Sequence, residues 1–240
     1  MSNLVLHCGG KAVTRQQVEA IPVPPATKTH FPVAYKTAIE LLHETIIEHT
    51  GLAIRQEAYG LNENGDQLFA LTTLETGNAE HGLSIGLRQS YNKSLALGVA
   101  VGAQVFVCDN LCFRGDAFMV VRKNTKFVLD DFKSMLVHQV KASLIHYNNM
   151  QADIGLMKAK PCELRRGFEL LGAAYGEGLL TTTQATVAFE DWRKPRHEEF
   201  ADRNLWGLYN ATTEALKKGG VGTAISRHTE MHDFVLKAAA

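Results

Sequence analysis

The spacing of hydrophobic residues along the chain changes between helical and strand-like patterns. From Val33 to Thr50 apolar side chains recur every three or four positions, as on one face of a helix, and Gly51 follows as a stop signal. From Gly51 to about Lys123 they alternate or form short runs, and after Thr125 the helical spacing returns. The pattern predicts a helix, then strands, then further helices.

Short turn sequences divide the strand-like region. The stretch GLAIRQEAYGLNENGDQLFALTTLET contains two runs separated by residues 62–66, where Asn64-Gly65 favours a tight hairpin with positive φ angles. The runs HGLSIGLRQSYN and LALGVAVGAQVFVCDN predict two more strands, and CFRGDAFMVVRK predicts a fifth. Because the connections are short, we expect an antiparallel sheet.

Helix boundaries are marked by capping residues and prolines. Thr14 and Gln17 form a capping-box pattern that predicts a short helix at 13–20, before the proline-rich segment that ends at Pro32. A long helix is expected from Thr125 to about Lys160, where Pro161 ends it.

Three further segments complete the second half of the chain. Two short helices are expected within 162–190, with N-cap candidates at 181–183. A last helix spans about His197 to Lys218 and ends at Gly219-Gly220. The stretch from Gly219 to His232 is expected to be a polar return segment after that stop.

This order of elements predicts an α+β fold, in which an antiparallel sheet from the first half packs against helices from the second half. We expect a single domain over residues 1–240. It comprises an N-terminal extension at 1–32, a helix and the sheet at 33–125, and a mainly helical part at 126–240.

Charge and hydropathy limit the kinds of partner. The chain has 25 basic and 25 acidic side chains, so no overall field attracts nucleic acid or acidic membranes. A nucleic-acid partner would have to bind a local patch. The longest apolar stretch, SLALGVAVGAQVFVC, is shorter than the ~20 residues that span a bilayer, and no membrane partner is expected.

Cysteine usage and the N-terminal sequence bear on location. The start, MSNLVLHCGG, has neither a charged region nor a long apolar run, and cysteines are few, so we expect a reducing, cytoplasmic setting. Cys8, Cys108, Cys112 and Cys162 are too scattered to suggest a zinc tetrad and are expected to be buried thiols. No cofactor is predicted.

The sequence GGVGTAISRHTEMH holds a candidate metal site. On a strand, His228, Glu230 and His232 would share a face and could coordinate a metal. On a helix, Glu230 would point away from the two histidines, unlike the glutamate of a His-Glu-x-x-His motif. A polar segment without metal is the favoured interpretation.

Basic and aromatic residues are interleaved near the C-terminus, a composition that can hold a phosphate backbone and stack bases. The candidate nucleic-acid-binding residues are Arg193, Lys194, Arg196, Lys217, Lys218, Arg227, His228 and Trp206. Flanking acids such as Glu190 and Glu198 favour a solvated helix surface over a binding surface.

Four stretches together resemble a known family: VTRQQVEAIPVP, GLSIGLRQSYNKSLALGVAVGAQVFVCDN, NLWGLYNATTEALKKGG and SRHT. They are similar to a domain-of-unknown-function family of proteins encoded by phages, plasmids and cryptic prophages. The resemblance spans most of the chain. It implies a role in mobile-element biology inside a bacterial cell, and it does not supply a reaction.

Three hypotheses follow. The first is a mobile-element accessory protein that binds or anneals single-stranded DNA in recombination, since RecT- and Erf-type annealing proteins have a similar order of elements. Such proteins act as rings or filaments, so a homo-oligomer is expected. The second is a protein–protein effector that inhibits a host defence enzyme, and the third is a metal-dependent enzyme using His228, Glu230 or His232.

Overall fold

A computed structural model describes residues 11–106, 110–112, 120–217 and 221–239, with side chains described outside 107–122 and 218–226. The strands of the described residues form one antiparallel sheet of seven, in the order β1-β2-β3-β4-β5-β6, and β7 pairs with the other end of β5. Their bounds are β1 Lys11–Val13, β2 Ile54–Leu61, β3 Gln67–Leu74, β4 His81–Ser90, β5 Leu97–Val105, β6 Asn110–Cys112 and β7 Val120–Arg122.

In the described part of the chain, two helices lie between β1 and β2 in the sequence, and the other five follow β7. Their bounds are α1 Arg15–Glu19, α2 Tyr35–Thr50, α3 Val128–Ala159, α4 Leu164–Gly176, α5 Thr182–Arg193, α6 Leu205–Leu216 and α7 Val221–Ala239. The predicted α+β class is therefore confirmed. None of the helices in the described part of the chain is both long and apolar enough to cross a membrane.

Several local predictions are confirmed. The predicted capping box at Thr14 forms, and Thr181, one of the N-cap candidates, caps α5 in a second capping box with Gln184. Gly51 ends α2 in the left-handed conformation. The β2–β3 turn at 62–66 is also present, although its only positive φ is at Gly65, so it is a longer loop than the two-residue turn that Asn64-Gly65 suggested.

Two predictions for the C-terminal region are wrong. The single helix expected over His197–Lys218 is a short 3-10 turn at Glu198–Phe200 followed by α6, because the Asn204 side chain accepts from the Gly207 backbone N–H (2.9 Å) and starts a new helix there. The expected polar return segment is instead the start of the 19-residue α7.

The fifth predicted strand divides into two short ones. Its sequence, 112–123, overlaps the end of β6 and all of β7, and both strands pair with β5. The residues between them, 113–119, lie outside the described part of the chain.

One face of the sheet, here called the inner face, packs against α2 and α3. Paired residues in register share a face, and the buried set includes Leu83, Ile85 and Leu87 of β4 opposite β5 residues such as Val99 and Val101. Contacts from the helices reach the same face: the Tyr147 hydroxyl of α3 donates to the His81 carbonyl (2.9 Å).

Two histidines on or against the inner face are held in polar networks. His81 Nδ1 lies 3.0 Å from the Tyr147 hydroxyl. In α2, His43 Nε2 lies 3.2 Å from a Glu57 carboxylate oxygen, and its Nδ1 lies 3.3 Å from an Arg15 guanidinium nitrogen. Burial lowers the pKa of both histidines; Arg15 adds to this effect at His43, whereas Glu57 opposes it.

These lowered pKa values predict acid sensitivity. In the unfolded chain the histidines bind protons at about pH 6.5, whereas in the folded chain they stay neutral at that pH. The stability that the two histidines contribute is therefore complete above that pH, and it is lost as the pH falls through their folded pKa. We expect the urea midpoint to fall between about pH 7.5 and about pH 5.5, and His81→Gln to reduce that fall. The exposed His138 provides the control: an undiminished fall in His81→Gln, or an equal reduction in His138→Gln, would contradict the assignment.

Candidate functional site

The predicted basic and aromatic cluster does not form one exposed surface. Arg196 bridges two carboxylates, with 3.3 Å to Asp191 and 2.8 Å to Glu214. Lys217 lies 2.5 Å from the same Glu214, and its side chain is only 13% exposed. Two of the predicted cations are therefore neutralised by acidic neighbours.

The two predicted ring-bearing members are in the core. Trp206 is 4% exposed and stacks on Tyr209 at 5.8 Å, and His228 is 6% exposed. Trp206 therefore cannot receive a base unless the helical core opens. Sequence reasoning placed it on the surface because aromatic residues near arginines suit both a binding surface and a helix core.

The remaining candidates are dispersed. Arg193 and Lys194 are exposed at the C-terminal end of α5, where the Arg193 guanidinium lies 5.7 Å from the Phe168 ring. Arg227, at the start of α7, donates to Gln184 Oε1 (3.3 Å). The Lys218 side chain lies outside the described residues.

The three candidate metal ligands lie on α7, so the strand arrangement that would bring them together is wrong. His232 is fully buried and its Nε2 lies 3.0 Å from Asp153 Oδ2 of α3, while Glu230 is exposed. Among the described residues, no three His, Cys, Asp or Glu side chains are grouped so as to hold a metal ion.

The cysteine expectation can be checked at one position. Cys162 is buried, as expected, and this burial raises the pKa of its thiol. The side chains of Cys8, Cys108 and Cys112 lie outside the described residues.

The opposite side of the sheet, here called the outer face, has a different composition. Strand register places Phe69 opposite Arg88 and Arg88 opposite Gly98, and in the next row it places Leu71 opposite Gly86. The outer-face residues of these two rows are Gly60, Phe69, Arg88, Gly98, Ala58, Leu71, Gly86 and Ala100. Small residues thus surround one aromatic ring and one cation.

Arg88 is the unusual member of the outer face. Its side chain is half-buried, its Nε is buried without a hydrogen-bond partner, and burial lowers the pKa of its guanidinium. No carboxylate of the described residues pairs with it. A partly buried arginine is normally paired, because removing an unpaired charge from water is costly.

The outer face around Arg88 is partly exposed at some positions and buried at others. Among the described residues, a Cβ built on Gly86 would meet backbone oxygens of the sheet itself, Ala100 O at 3.8 Å and Ala70 O at 4.0 Å. Phe69, Gly86 and Arg88 are partly exposed, whereas Leu71 and Ala100 are 7% and 4% exposed. Glycines in strand interiors often mark places where a ligand or another chain approaches the backbone closely.

The outer face also lacks acidic residues within strands β2–β5. Its polar members include Gln56, Gln67 and Gln104, and no Asp or Glu of these strands points to this side. At the opposite end of the sheet, Arg55 lies 3.9 Å from the Phe106 ring and 3.5 Å from Glu75, which follows β3. The face is therefore suited to an anionic ligand.

Sequence reasoning did not single out this site. The alternation of Leu83, Ile85 and Leu87 with small or polar residues was visible, and it predicted a half-buried strand. The available signal was the recurrence of glycine at 82, 86, 98 and 102, which register places on the outer face. The absence of a partner for Arg88 depends on the tertiary structure.

No family model, curated protein or solved structure matches this chain. The family resemblance described above therefore stays a prediction, and functional inference depends on the geometry of the site.

Proposed function

We propose that this protein binds single-stranded nucleic acid across the outer face of its sheet, as a cytoplasmic accessory factor of a phage or plasmid that acts in recombination. Arg88 takes a phosphate group and Phe69 stacks on a base. The observation that carries the proposal is the half-buried Arg88, which has no partner among the described residues, on a face to which strands β2–β5 contribute no carboxylate.

The chemistry favours a strand of nucleic acid over a small anion alone. Arginine offers several N–H donors in a planar fork that fits phosphate oxygens. An aromatic ring next to it, on a surface of glycine and alanine, suits the stacking by which single-stranded nucleic acids are bound without sequence preference. Phe69 and Arg88 are register partners, so their side chains lie on the same face of neighbouring strands.

The test is fluorescence anisotropy with a labelled oligothymidylate of about 20 nucleotides at low salt. Arg88→Ala should weaken binding by about tenfold and reduce the salt dependence by about one phosphate contact. Phe69→Ala should weaken it by a similar factor, because one stacked base contributes ~1–3 kcal/mol.

Two further variants test whether a loss of binding comes from the outer face, from misfolding or from the other cationic surface. Gly86→Val fills the outer face at a point where a Cβ meets no described atom closer than 3.8 Å, so binding should fall while thermal stability is kept. Arg193→Ala with Lys194→Ala is the matched control on the exposed end of α5. If the double variant lost binding and Arg88→Ala did not, the outer face would be the wrong site, and an absence of binding by the native chain would overturn the function itself.

A further inference from the structure

We infer that two copies of this chain associate through the outward faces of α2 and α3, with α2 of each copy against α3 of the other. The observation behind this inference is a matched series of opposite charges on the two helices. It is independent of the proposed nucleic-acid site, because that site lies on the other side of the sheet.

The two helices run in the same direction over the inner face. At the start of α2, the Tyr35 hydroxyl donates to Gly65 O in the β2–β3 turn, and α2 ends before Ile54, which pairs with Leu74 at the far end of the sheet. Helix α3 follows β7, which pairs with Leu97–Val99 of β5, close to the end of the sheet that carries the β2–β3 turn. Further along α3, the Tyr147 hydroxyl lies 3.0 Å from the Thr76 hydroxyl at the opposite end of the sheet.

Three charged side chains on α2 are matched by opposite charges on α3 at nearly equal distances from the two helix starts. Lys36 is the second residue of α2 and Asp130 the third of α3, and Glu40 and Lys133 are each the sixth. Further along, Glu48 and Lys141 are each the fourteenth. At 1.5 Å per residue, every pair lies at nearly the same height.

This complementarity is not used within the chain. In the described part of the structure no ion pair joins α2 to α3. The contacts present are long ones within α2: Lys36 to Glu40 at 3.8 Å, and His49 to Glu48 at 3.9 Å, with the Glu48 side chain 73% exposed. The charges therefore remain available to a partner.

A second copy fits this pattern better than an unrelated partner. A two-fold axis parallel to the helices places α2 over α3 of the other copy and α3 over α2, so each opposite pair forms twice in a closed, self-complementary interface. Two exposed isoleucines, Ile47 on α2 (59%) and Ile145 on α3 (64%), provide apolar contact beside the charges. The outer sheet faces then point away from the interface.

Charge exchange tests the interface on the full-length chain by sedimentation velocity at low salt. The native protein should sediment as a dimer at micromolar concentration and dissociate at about 0.5 M NaCl. Glu40→Lys with Glu48→Lys should weaken association by at least about tenfold, as should Lys133→Glu with Lys141→Glu, the residues at the same heights on α3. The variant carrying all four changes should return to within about threefold of the native dissociation constant.

Exposed acids elsewhere provide the control, because Glu177→Lys with Glu199→Lys changes the net charge equally on other surfaces. This control should remain dimeric, and circular dichroism confirms folding of each variant. A native protein that is monomeric under these conditions would overturn the inference. So would a dimer that the α2 charge reversal does not weaken, or a four-fold variant that stays dissociated.

Discussion

Replacing Gly167 with alanine is expected to lower the free energy of unfolding by about 3 kcal/mol or more. A Cβ at this position of α4 would lie 2.1 Å from Trp192 Nε1 and 2.3 Å from Cε2. The indole cannot easily move, because it is fully buried, its Nε1–H donates to the Leu164 carbonyl (3.0 Å), and the Arg203 guanidinium lies 4.6 Å from the ring centre.

The same helix supplies a matched control. Gly172 is exposed on α4, and a Cβ there meets nothing within 4 Å. Gly172→Ala should therefore stabilise the protein by roughly 0.5–1 kcal/mol, because alanine is the better helix former. Urea unfolding followed by tryptophan fluorescence measures both variants, since Trp192 and Trp206 are both buried. A Gly167→Ala midpoint equal to that of the native protein would contradict the described packing of α4 on α5.

The elements that could be predicted from the sequence are those whose signals are local. Helix α2 has a continuous apolar stripe and a glycine stop, and Thr14 and Thr181 carry their capping partners three residues away. In strands β2–β5, apolar residues alternate with polar ones or form continuous blocks, and the turns between the strands are short. Short turns also predict the antiparallel order of the sheet. In these regions propensity, pattern and turn chemistry all favour the same structure.

Helix α7 could not be predicted in the same way. Its buried positions His228, Met231, His232 and Val235 follow helical spacing, but two of them are histidines and were counted as polar. His232 can be buried because Asp153 accepts its hydrogen bond, and that residue is 79 positions away in the sequence. A partner far away in the sequence therefore allows the burial of a residue that the local sequence pattern assigns to the surface.

The candidate site shows the same limit. From the sequence, Arg88 is one polar residue in an alternating strand, and nothing distinguishes it from an arginine paired with a neighbouring acid. Its significance depends on the strand register, which places it beside Phe69 and among glycines from two other strands. If the outer face binds an anion, the Arg88 charge is present for binding and makes the folded protein less stable. Arg88→Met should therefore not lower the melting temperature.

Replacing Asp153 with alanine is the second change expected to have a large effect, a loss of about 3 kcal/mol in the free energy of unfolding. Asp153 Oδ2 lies 3.0 Å from His232 Nε2, and this contact joins α3 to α7. The His232 ring is fully buried and packs edge-on against Tyr209 of α6 at 5.5 Å. Without Asp153, the buried N–H of His232 loses that acceptor.

Two variants define the origin of that loss. Asp153→Asn keeps a side-chain oxygen that can accept from His232, so we expect a smaller loss, about 1 kcal/mol. Glu169→Ala removes an exposed carboxylate that pairs with Arg165 (3.4 Å) and Arg166 (3.2 Å), and it should change stability by no more than about 0.5 kcal/mol. Chemical denaturation at neutral pH measures all three. Equal losses for Asp153→Ala and Glu169→Ala would mean that the buried contact does not hold α7 against α3.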